Sequence, residues 1–174
     1  MNTKNLVLMS LLVGVGAVLY IIIPGFNGGM KPDFMLTMMF IGILLFPDAK
    51  SVFLLGISTG VISGLFSTFP GGFVPNIIDK SVTAFVFFAL ILVVNKYAKK
   101  LPIAIALTCV GTLVSGTVFL STAIFIFGAD VPFVGLLLAV VLPAIAINAI
   151  AFFVIYPIIG KLIKRTKFET ALTV

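Results

Sequence analysis

Residues 5–23 read NLVLMSLLVGVGAVLYIII, an apolar run without a charged side chain. A run of about 18 apolar residues or more can cross the ~30 Å hydrocarbon core of a bilayer as a helix. Lys4 precedes the run, as in a signal peptide, but Pro24 and Gly25 end it without a small-residue cleavage site. The sequence therefore predicts that this segment is kept as a first membrane-spanning helix.

The composition of the whole chain agrees with that first segment. Hydrophobic residues make up 61% of the 174 residues, and charged residues only 9%. A soluble domain of this size needs far more charge on its surface. We therefore expect an all-α integral membrane protein.

Short segments rich in turn residues or charge divide the rest of the chain into further apolar runs. Together the runs predict six spans in a single transmembrane domain: 5–23, 33–46, 51–69, 77–97, 102–127 and 143–163. The second is short for a bilayer, so we expect it to be tilted or to end below the surface. A further apolar segment, 132–142, is too short to span, and Pro143 separates it from the last span. Its length favours a re-entrant or interfacial position.

The distribution of basic residues sets the expected orientation. With the N-terminus inside, nine of the 11 lysines and arginines fall on the cytoplasmic side, and only Lys31 and Lys80 fall outside. This asymmetry follows the positive-inside rule and predicts that both termini are cytoplasmic. The net charge of +6 is then explained by orientation and by lipid headgroups, so no nucleic-acid partner is expected.

Several kinds of reactive group are missing from the sequence. It contains no histidine, and its one cysteine, Cys109, lies within a predicted span, so we expect neither a metal site nor a disulfide framework. No G-x-x-x-x-G-K-[ST] phosphate-binding motif occurs. The five acidic residues lie near predicted span ends, away from the mid-membrane positions that proton or sodium carriers use. We therefore expect no catalytic residue and no cofactor in this chain.

Two similar segments, FNGGMKPDF at 26–34 and FPGGFVPNIIDK at 69–80, fall at predicted outer ends of spans. They supply carboxylates, ammonium groups and glycine N–H donors beside phenylalanines, which suits a zwitterion with an aromatic body. A carboxylate could hold an α-ammonium group, and a lysine or loop N–H groups could hold an α-carboxylate. The candidate substrate-binding residues from these segments and the helix after them are Met30, Lys31, Asp33, Phe34, Phe69, Gly71, Gly72, Asn76, Asp79, Lys80 and Thr83.

Some of these residues also have a purely structural interpretation. Asp33 and Asn76 are predicted N-caps of the second and fourth spans. Lys80 in a first helical turn would oppose the helix dipole, so it requires an anion, which could be Asp79, Asp33 or a bound group. Asn148 in the last span is a further candidate, either as a link between helices or as a ligand contact.

Small residues predict where helices meet closely. Gly56, Gly60 and Gly64 form a G-x-x-x-G-x-x-x-G stripe on the third span, which favours tight packing within the chain. Ser10 and Gly14 form a second small pair in the first span. Internal packing is the default interpretation of that pair, and a partner helix is the alternative.

Three runs carry a resemblance to a known family: KNLVLMSLLVGVGAVL at 4–19, GGMKPDFMLTMMF at 28–40 and TFPGGFVPNIIDK at 68–80. They resemble the bacterial tryptophan transporter TrpP family over essentially the whole chain. That family looks like a branch of the substrate-binding S components of energy-coupling factor (ECF) transporters. The resemblance implies a six-helix subunit of the bacterial plasma membrane that binds tryptophan or a related aromatic amino acid.

The same resemblance implies partners and site residues. An S component associates with a transmembrane coupling protein and two cytoplasmic ATPases, which would use the ATP. Substrate contacts would come from the two outer segments and Asn148. Docking on the coupling protein would use Ser10 and Gly14, where the family has an A-x-x-x-A-like motif.

Other functions compete with this interpretation. An autonomous amino-acid carrier driven by an ion gradient is disfavoured because neither a mid-membrane carboxylate nor an inverted repeat is evident. A scaffold protein without cargo is a second alternative. An enzyme is disfavoured because the sequence offers no nucleophile with a base.

Overall fold

Helices, without strands, form the part of the chain that the computed structural model describes, which is residues 3–23, 32–166, 168, 170 and 171. The six helices of these residues are α1 Thr3–Ile22, α2 Phe34–Leu45, α3 Ala49–Leu65, α4 Phe73–Val94, α5 Leu101–Ile126 and α6 Phe133–Arg165. A short 3₁₀ turn, Asn95–Tyr97, follows α4. The predicted all-α class is therefore confirmed.

The helices differ in their ability to cross a bilayer. Among the described residues, α1, α4, α5 and α6 are long and apolar enough to do so, whereas α2 and α3 are shorter apolar helices. The 12 residues of α2 rise only about 18 Å along the axis, well short of the ~30 Å core. The expectation of a short second helix is met, and its bounds are tighter than the predicted 33–46.

α2 is the centre of the bundle. Every residue from Phe34 to Leu45 is buried, and the helix contacts all five other helices. Its sequence contains no charged side chain, so it can be surrounded by protein without leaving a charge unpaired. Asp33 caps it as predicted, since the Asp33 Oδ1 atom accepts a hydrogen bond of 2.9 Å from the Leu36 N–H group.

The glycine stripe brings α3 and α4 together in an antiparallel pair. A Cβ atom built on Gly60 would lie 2.8 Å from the Ile77 Cα atom, and one on Gly64 would lie 2.8 Å from the Phe73 carbonyl oxygen. Only glycine permits backbones to approach this closely. The stripe therefore packs within the chain, as predicted, and fixes the N-terminal half of α4.

The structure differs from the prediction for residues 132–142. Pro143 does not separate them from the last span, because residues 133–142 form the start of the 33-residue helix α6. A re-entrant or interfacial position for them stays a prediction. A π-helical turn at Leu137–Val141 leads directly into the segment that holds Pro143. Proline fits there because its ring is tolerated at the first positions after a change of helical geometry, where its missing N–H group costs little.

All six helices contribute to one end of the bundle. This end contains the C-terminal end of α1, the N-terminal ends of α2 and α4, the C-terminal ends of α3 and α5, and the first half of α6. It is the end that the positive-inside rule predicts to face outward. The candidate site lies there.

Candidate functional site

A cavity of about 340 Å³ opens between the helices at the predicted outer end. Its charged lining residues, in the described part of the chain, are Asp33, Asp79 and Lys80. Small polar side chains and amides surround them, and aromatic and aliphatic side chains form the rest of the wall. A volume of this order lies at the lower end of the usual range for small-molecule sites.

Lys80 joins three helices through its ammonium group. The Lys80 Nζ atom lies 2.8 Å from Asp79 Oδ2 on α4 and 2.9 Å from Asp33 Oδ2 at the start of α2. It also donates to the Ser115 Oγ atom on α5, at 3.1 Å. The Lys80 side chain is only 4% exposed. Burial of such a charge is tolerated because the two carboxylates compensate it.

Asp79 is the most deeply buried member of this charged cluster, with 1% of its side chain exposed. Its Oδ2 atom accepts from Lys80 and, at 2.9 Å, from the Ser115 hydroxyl group. Its Oδ1 atom accepts from the Thr83 hydroxyl group, also at 2.9 Å. Thr83 does not line the cavity, so its contact with the site is through Asp79.

The predicted positions of Asn76 and Lys80 relative to the start of α4 are wrong. The helix begins at Phe73 with Gly72 as its N-cap, so Asn76 is not the cap. Asn76 lies in the first turn, and its Nδ2 atom donates a hydrogen bond of 2.7 Å to the Gly72 carbonyl oxygen. Lys80 is then the eighth residue of α4, beyond the turn where the dipole acts strongly. Its anionic partners are nevertheless two of those that the sequence proposed, Asp79 and Asp33.

Asn148 links the site to the middle of α6. Its Oδ1 atom accepts a hydrogen bond of 2.8 Å from the Asp33 backbone N–H group. Its Nδ2 atom lies 3.3 Å from the Thr112 hydroxyl oxygen on α5 and donates to it. Asn148 therefore connects helices, which is one of the two roles that the sequence left open, and it lines the cavity. Its role as a ligand contact stays a prediction.

The apolar wall of the cavity is built mainly from α5, α6 and the segment after α3. The Phe69 and Phe119 rings meet edge to face, with centroids 5.3 Å apart. Tyr20 of α1 and Met35 of α2 also reach the lining, and the Ser63 hydroxyl group donates to the Met35 sulfur at 3.4 Å. This wall offers π faces and polarisable sulfur to a flat aromatic group.

The cavity brings together half of the predicted binding residues. Those that line it are Asp33, Phe69, Asn76, Asp79, Lys80 and Asn148. Phe34 and Thr83 are buried without reaching the lining, and neither Gly71 nor Gly72 lines it. Met30 and Lys31 lie outside the described residues. Participation of any of these residues in ligand binding stays a prediction.

The sequence interpretation missed the contribution of α5. Thr112, Ser115 and Phe119 all line the cavity. Their spacing of three and four residues places them on one face of a helix, and two of them are hydroxyl residues. That polar face was the available signal. Tyr20, near the end of α1, had no comparable signal.

The small pair on α1 does not pack against the rest of the described chain. Ser10 and Gly14 are both exposed, and a Cβ atom built on Gly14 would meet no atom of the described residues within 4 Å. Internal packing, the default expectation for this pair, is therefore wrong. Gly16 takes that role instead, since its Cβ position is 3.1 Å from the Phe34 carbonyl oxygen.

The described residues offer no group of three or more metal-ligating acidic or cysteine side chains. The site is instead an ion-paired cavity at the end of a helical bundle.

Comparison with known proteins gives it a context. A family model for the tryptophan transporter TrpP matches residues 2–164. The chain belongs to the tryptophan transporter TrpP family.

Individual TrpP relatives match over nearly their whole length. A probable tryptophan transport protein of Bacillus subtilis (strain 168) is 52% identical over 171 residues, which cover 98% of this chain and 99% of the relative. Probable tryptophan transport proteins of Clostridium acetobutylicum and Clostridium perfringens are 45% and 36% identical, over 92% and 94% of this chain and 94% and 95% of theirs. No solved structure matches the chain.

Membership of the TrpP family confirms the resemblance that the sequence motifs carried. Together with the apolar helices, it also confirms a multi-pass protein of the bacterial membrane. The family assignment makes the chain a transporter by descent. The cavity offers charged, polar and aromatic groups to a small molecule.

Proposed function

We propose that the chain is the substrate-binding membrane subunit of an ATP-driven, ECF-type importer of tryptophan. The observation that carries the proposal is the cavity, which combines a buried ion-paired cluster with an aromatic wall. A zwitterionic aromatic amino acid needs both parts, because its charged end must be paired wherever water is excluded. The description of the relatives as probable tryptophan transport proteins supports tryptophan as the cargo.

The proposed partners are a transmembrane coupling protein and two cytoplasmic ATPases, which would use the ATP. The exposed pair of Ser10 and Gly14 supports this arrangement, because small residues on a membrane helix allow a partner helix to approach closely. The sequence also lacks the common phosphate-binding motif. Substrate capture would then be the task of this chain, and energy conversion that of its partners.

One observation favours an autonomous carrier as a second candidate function. Asp79 is the seventh residue of α4, so it lies about 9 Å inside the helix and is almost completely buried. The sequence had placed this carboxylate at a span end. An ionisable cluster within a membrane span is a feature of proton-coupled and sodium-coupled transporters.

Tryptophan binding is tested by an experiment that uses the composition of the chain. The chain contains no tryptophan and only three tyrosines, so indole emission from the purified protein must come from a bound molecule. We expect the protein, purified in detergent, to release tryptophan near one per chain on denaturation, as measured by mass spectrometry. A dark protein that also fails to bind added tryptophan would contradict the proposed cargo.

The source of energy is tested in liposomes that contain this chain alone. We expect no accumulation of radiolabelled tryptophan under an imposed proton or sodium gradient, because the proposed subunit requires its ATPase partners. Gradient-driven accumulation by the lone chain would reject the importer-subunit proposal in favour of the carrier. Empty liposomes and liposomes without a gradient serve as controls.

A further inference from the structure

The Lys80 ammonium group has no donor left for a ligand. A lysine ammonium group has three N–H donors. The three acceptors around Lys80 Nζ are Asp79 Oδ2, Asp33 Oδ2 and Ser115 Oγ, at 2.8, 2.9 and 3.1 Å. A ligand carboxylate would have to displace one of these buried partners to reach Lys80. The only lysine in the described lining is therefore a structural cation.

The Asp79 carboxylate is equally enclosed. It accepts from Lys80 and Ser115 on Oδ2 and from Thr83 on Oδ1, and only 1% of its side chain is exposed. All three donors are buried side chains. Asp79 therefore serves as the fixed counter-ion of Lys80 and offers little to a ligand.

Asp33 is the accessible charged group of the cavity. Its side chain is 33% exposed, against 4% for Lys80 and 1% for Asp79. Among the described residues, each of its oxygen atoms has one donor, the Leu36 N–H group on Oδ1 and Lys80 on Oδ2. A carboxylate oxygen can accept about two hydrogen bonds, so Asp33 retains acceptor capacity towards the cavity.

The net charge of the cluster of Asp33, Asp79 and Lys80 also favours a cationic group on the ligand. Two carboxylates face one ammonium group, so the cluster carries one excess negative charge when all three groups are ionised. The other lining residues of the described chain are formally neutral. In a cavity of low polarity, a cationic group on the ligand neutralises this charge, whereas an anionic group adds repulsion.

We infer that the cavity selects its ligand by the ammonium group, which Asp33 binds, and that the donors which the described residues offer to the ligand carboxylate are neutral. This inference rests on the proposed function and makes it more specific. Neutral donors in the lining include the Asn148 amide, of which one N–H group is directed to Thr112 and the other meets no acceptor among the described residues. The ligand class is therefore a primary ammonium compound with an aromatic body, in which the carboxylate contributes less than the amine.

Two tryptophan analogues separate the contributions of the ligand's charged groups. Tryptamine lacks the carboxylate and is a cation, whereas 3-indolepropionic acid lacks the amine and is an anion at neutral pH. We expect the purified chain to bind tryptamine at least about 10-fold more tightly than 3-indolepropionic acid, since hydrogen bonds to charged groups are the stronger ones. Calorimetric titration with each compound and with tryptophan measures this directly.

Two aspartates provide a matched pair of variants. Asp33 and Asp48 are both N-caps whose side chains accept from a backbone N–H group three residues ahead, but Asp48 does not line the cavity. Asparagine is an equally good N-cap, so Asp33→Asn removes charge and keeps the cap. We expect Asp33→Asn to reduce the preference for tryptamine about 10-fold or more, and Asp48→Asn to leave it unchanged.

The outcomes distinguish this inference from the proposed function. Tighter binding of tryptamine, lost in Asp33→Asn only, supports the inference. Binding of tryptophan with an equal or greater affinity for 3-indolepropionic acid would overturn the inference and leave the proposed cargo intact. Failure of all three indoles to bind the wild-type chain would overturn both. The wild-type comparison of the two analogues decides the question even if Asp33→Asn fails to fold.

Discussion

At the scale of single residues, Lys80 determines the polar chemistry of the bundle. Its ammonium group is shared by two carboxylates and a hydroxyl group from three different helices. Removal of one member of a buried ion pair leaves the other charge uncompensated, which costs about 3–5 kcal/mol. Replacement of both members by neutral groups avoids that cost. Lys80 and Asp79 are therefore expected to depend strongly on each other.

This dependence predicts a non-additive double-mutant cycle. Lys80→Met alone should lower the free energy of unfolding by about 3–5 kcal/mol and abolish ligand binding, because it leaves Asp79 buried without its counter-ion. The double variant Lys80→Met with Asp79→Asn should recover part of that stability. Thermal unfolding in detergent measures the stability of both variants. Lys50→Met, which changes an exposed lysine, is the control. Additive losses would show that the pair is not energetically coupled.

At the scale of helices, close backbone contact between α3 and α4 sets the position of the charged cluster. Gly60 lies against the backbone at Ile77 and Asn76, and Gly56 lies against the backbone at Lys80 and Ser81. The residues that α3 touches are therefore those that carry or adjoin the site. A side chain added at the stripe would displace the segment of α4 that presents Asp79 and Lys80.

Two glycine-to-alanine variants test this contact against intrinsic helix propensity. Alanine is a better helix former than glycine by about 1 kcal/mol, so a glycine without close neighbours gains from the change. We expect Gly14→Ala to be neutral or stabilising. Gly60→Ala should be destabilised by about 1–3 kcal/mol, since its Cβ atom would lie 2.8 Å from the Ile77 Cα atom. Equal melting temperatures for the two variants would mean that the stripe does not control the packing of α4.

At the scale of the whole molecule, the binding cavity and the exposed small pair belong to different parts of the bundle. The cavity lies at the end where α2 and α4 begin, whereas Ser10 and Gly14 lie on the exposed side of α1. Neither Ser10 nor Gly14 lines the cavity. Substrate binding and partner docking are therefore expected to be separable by mutation.

Gly14→Leu provides that separation. It should leave tryptophan affinity within about 2-fold of wild type, because Gly14 has open space beside it, and it should abolish uptake in cells by blocking the partner helix. Radiolabelled uptake and binding to the purified protein measure the two effects. Gly16→Leu is the control for internal packing, and we expect it to impair folding and binding together. Normal uptake by Gly14→Leu would remove α1 from the proposed docking surface.

Much of the architecture could be predicted from local properties of the sequence. Apolar runs, turn residues and the stripe at Gly56, Gly60 and Gly64 indicated the helices and one of their contacts, because these features act within one helix or between neighbours in the chain. The start of α4 was predicted late, at Asn76, because a glycine N-cap leaves no polar side chain to mark the end of a helix. The segment 132–142 was separated from α6 because proline usually interrupts helices, and the π turn before Pro143 avoids that conflict.

The sequence by itself determined that this protein is an apolar helical bundle of the membrane, since hydrophobicity and charge act through the solvent in which each segment is stable. It also indicated that Lys80 requires an anion, for which Asp79 and Asp33 were candidates. Only the tertiary structure decided how they pair, that Thr112, Ser115 and Phe119 join them, and that Asp33 is the accessible carboxylate. These properties depend on distances between helices that are far apart in the chain, and no local pattern specifies such distances.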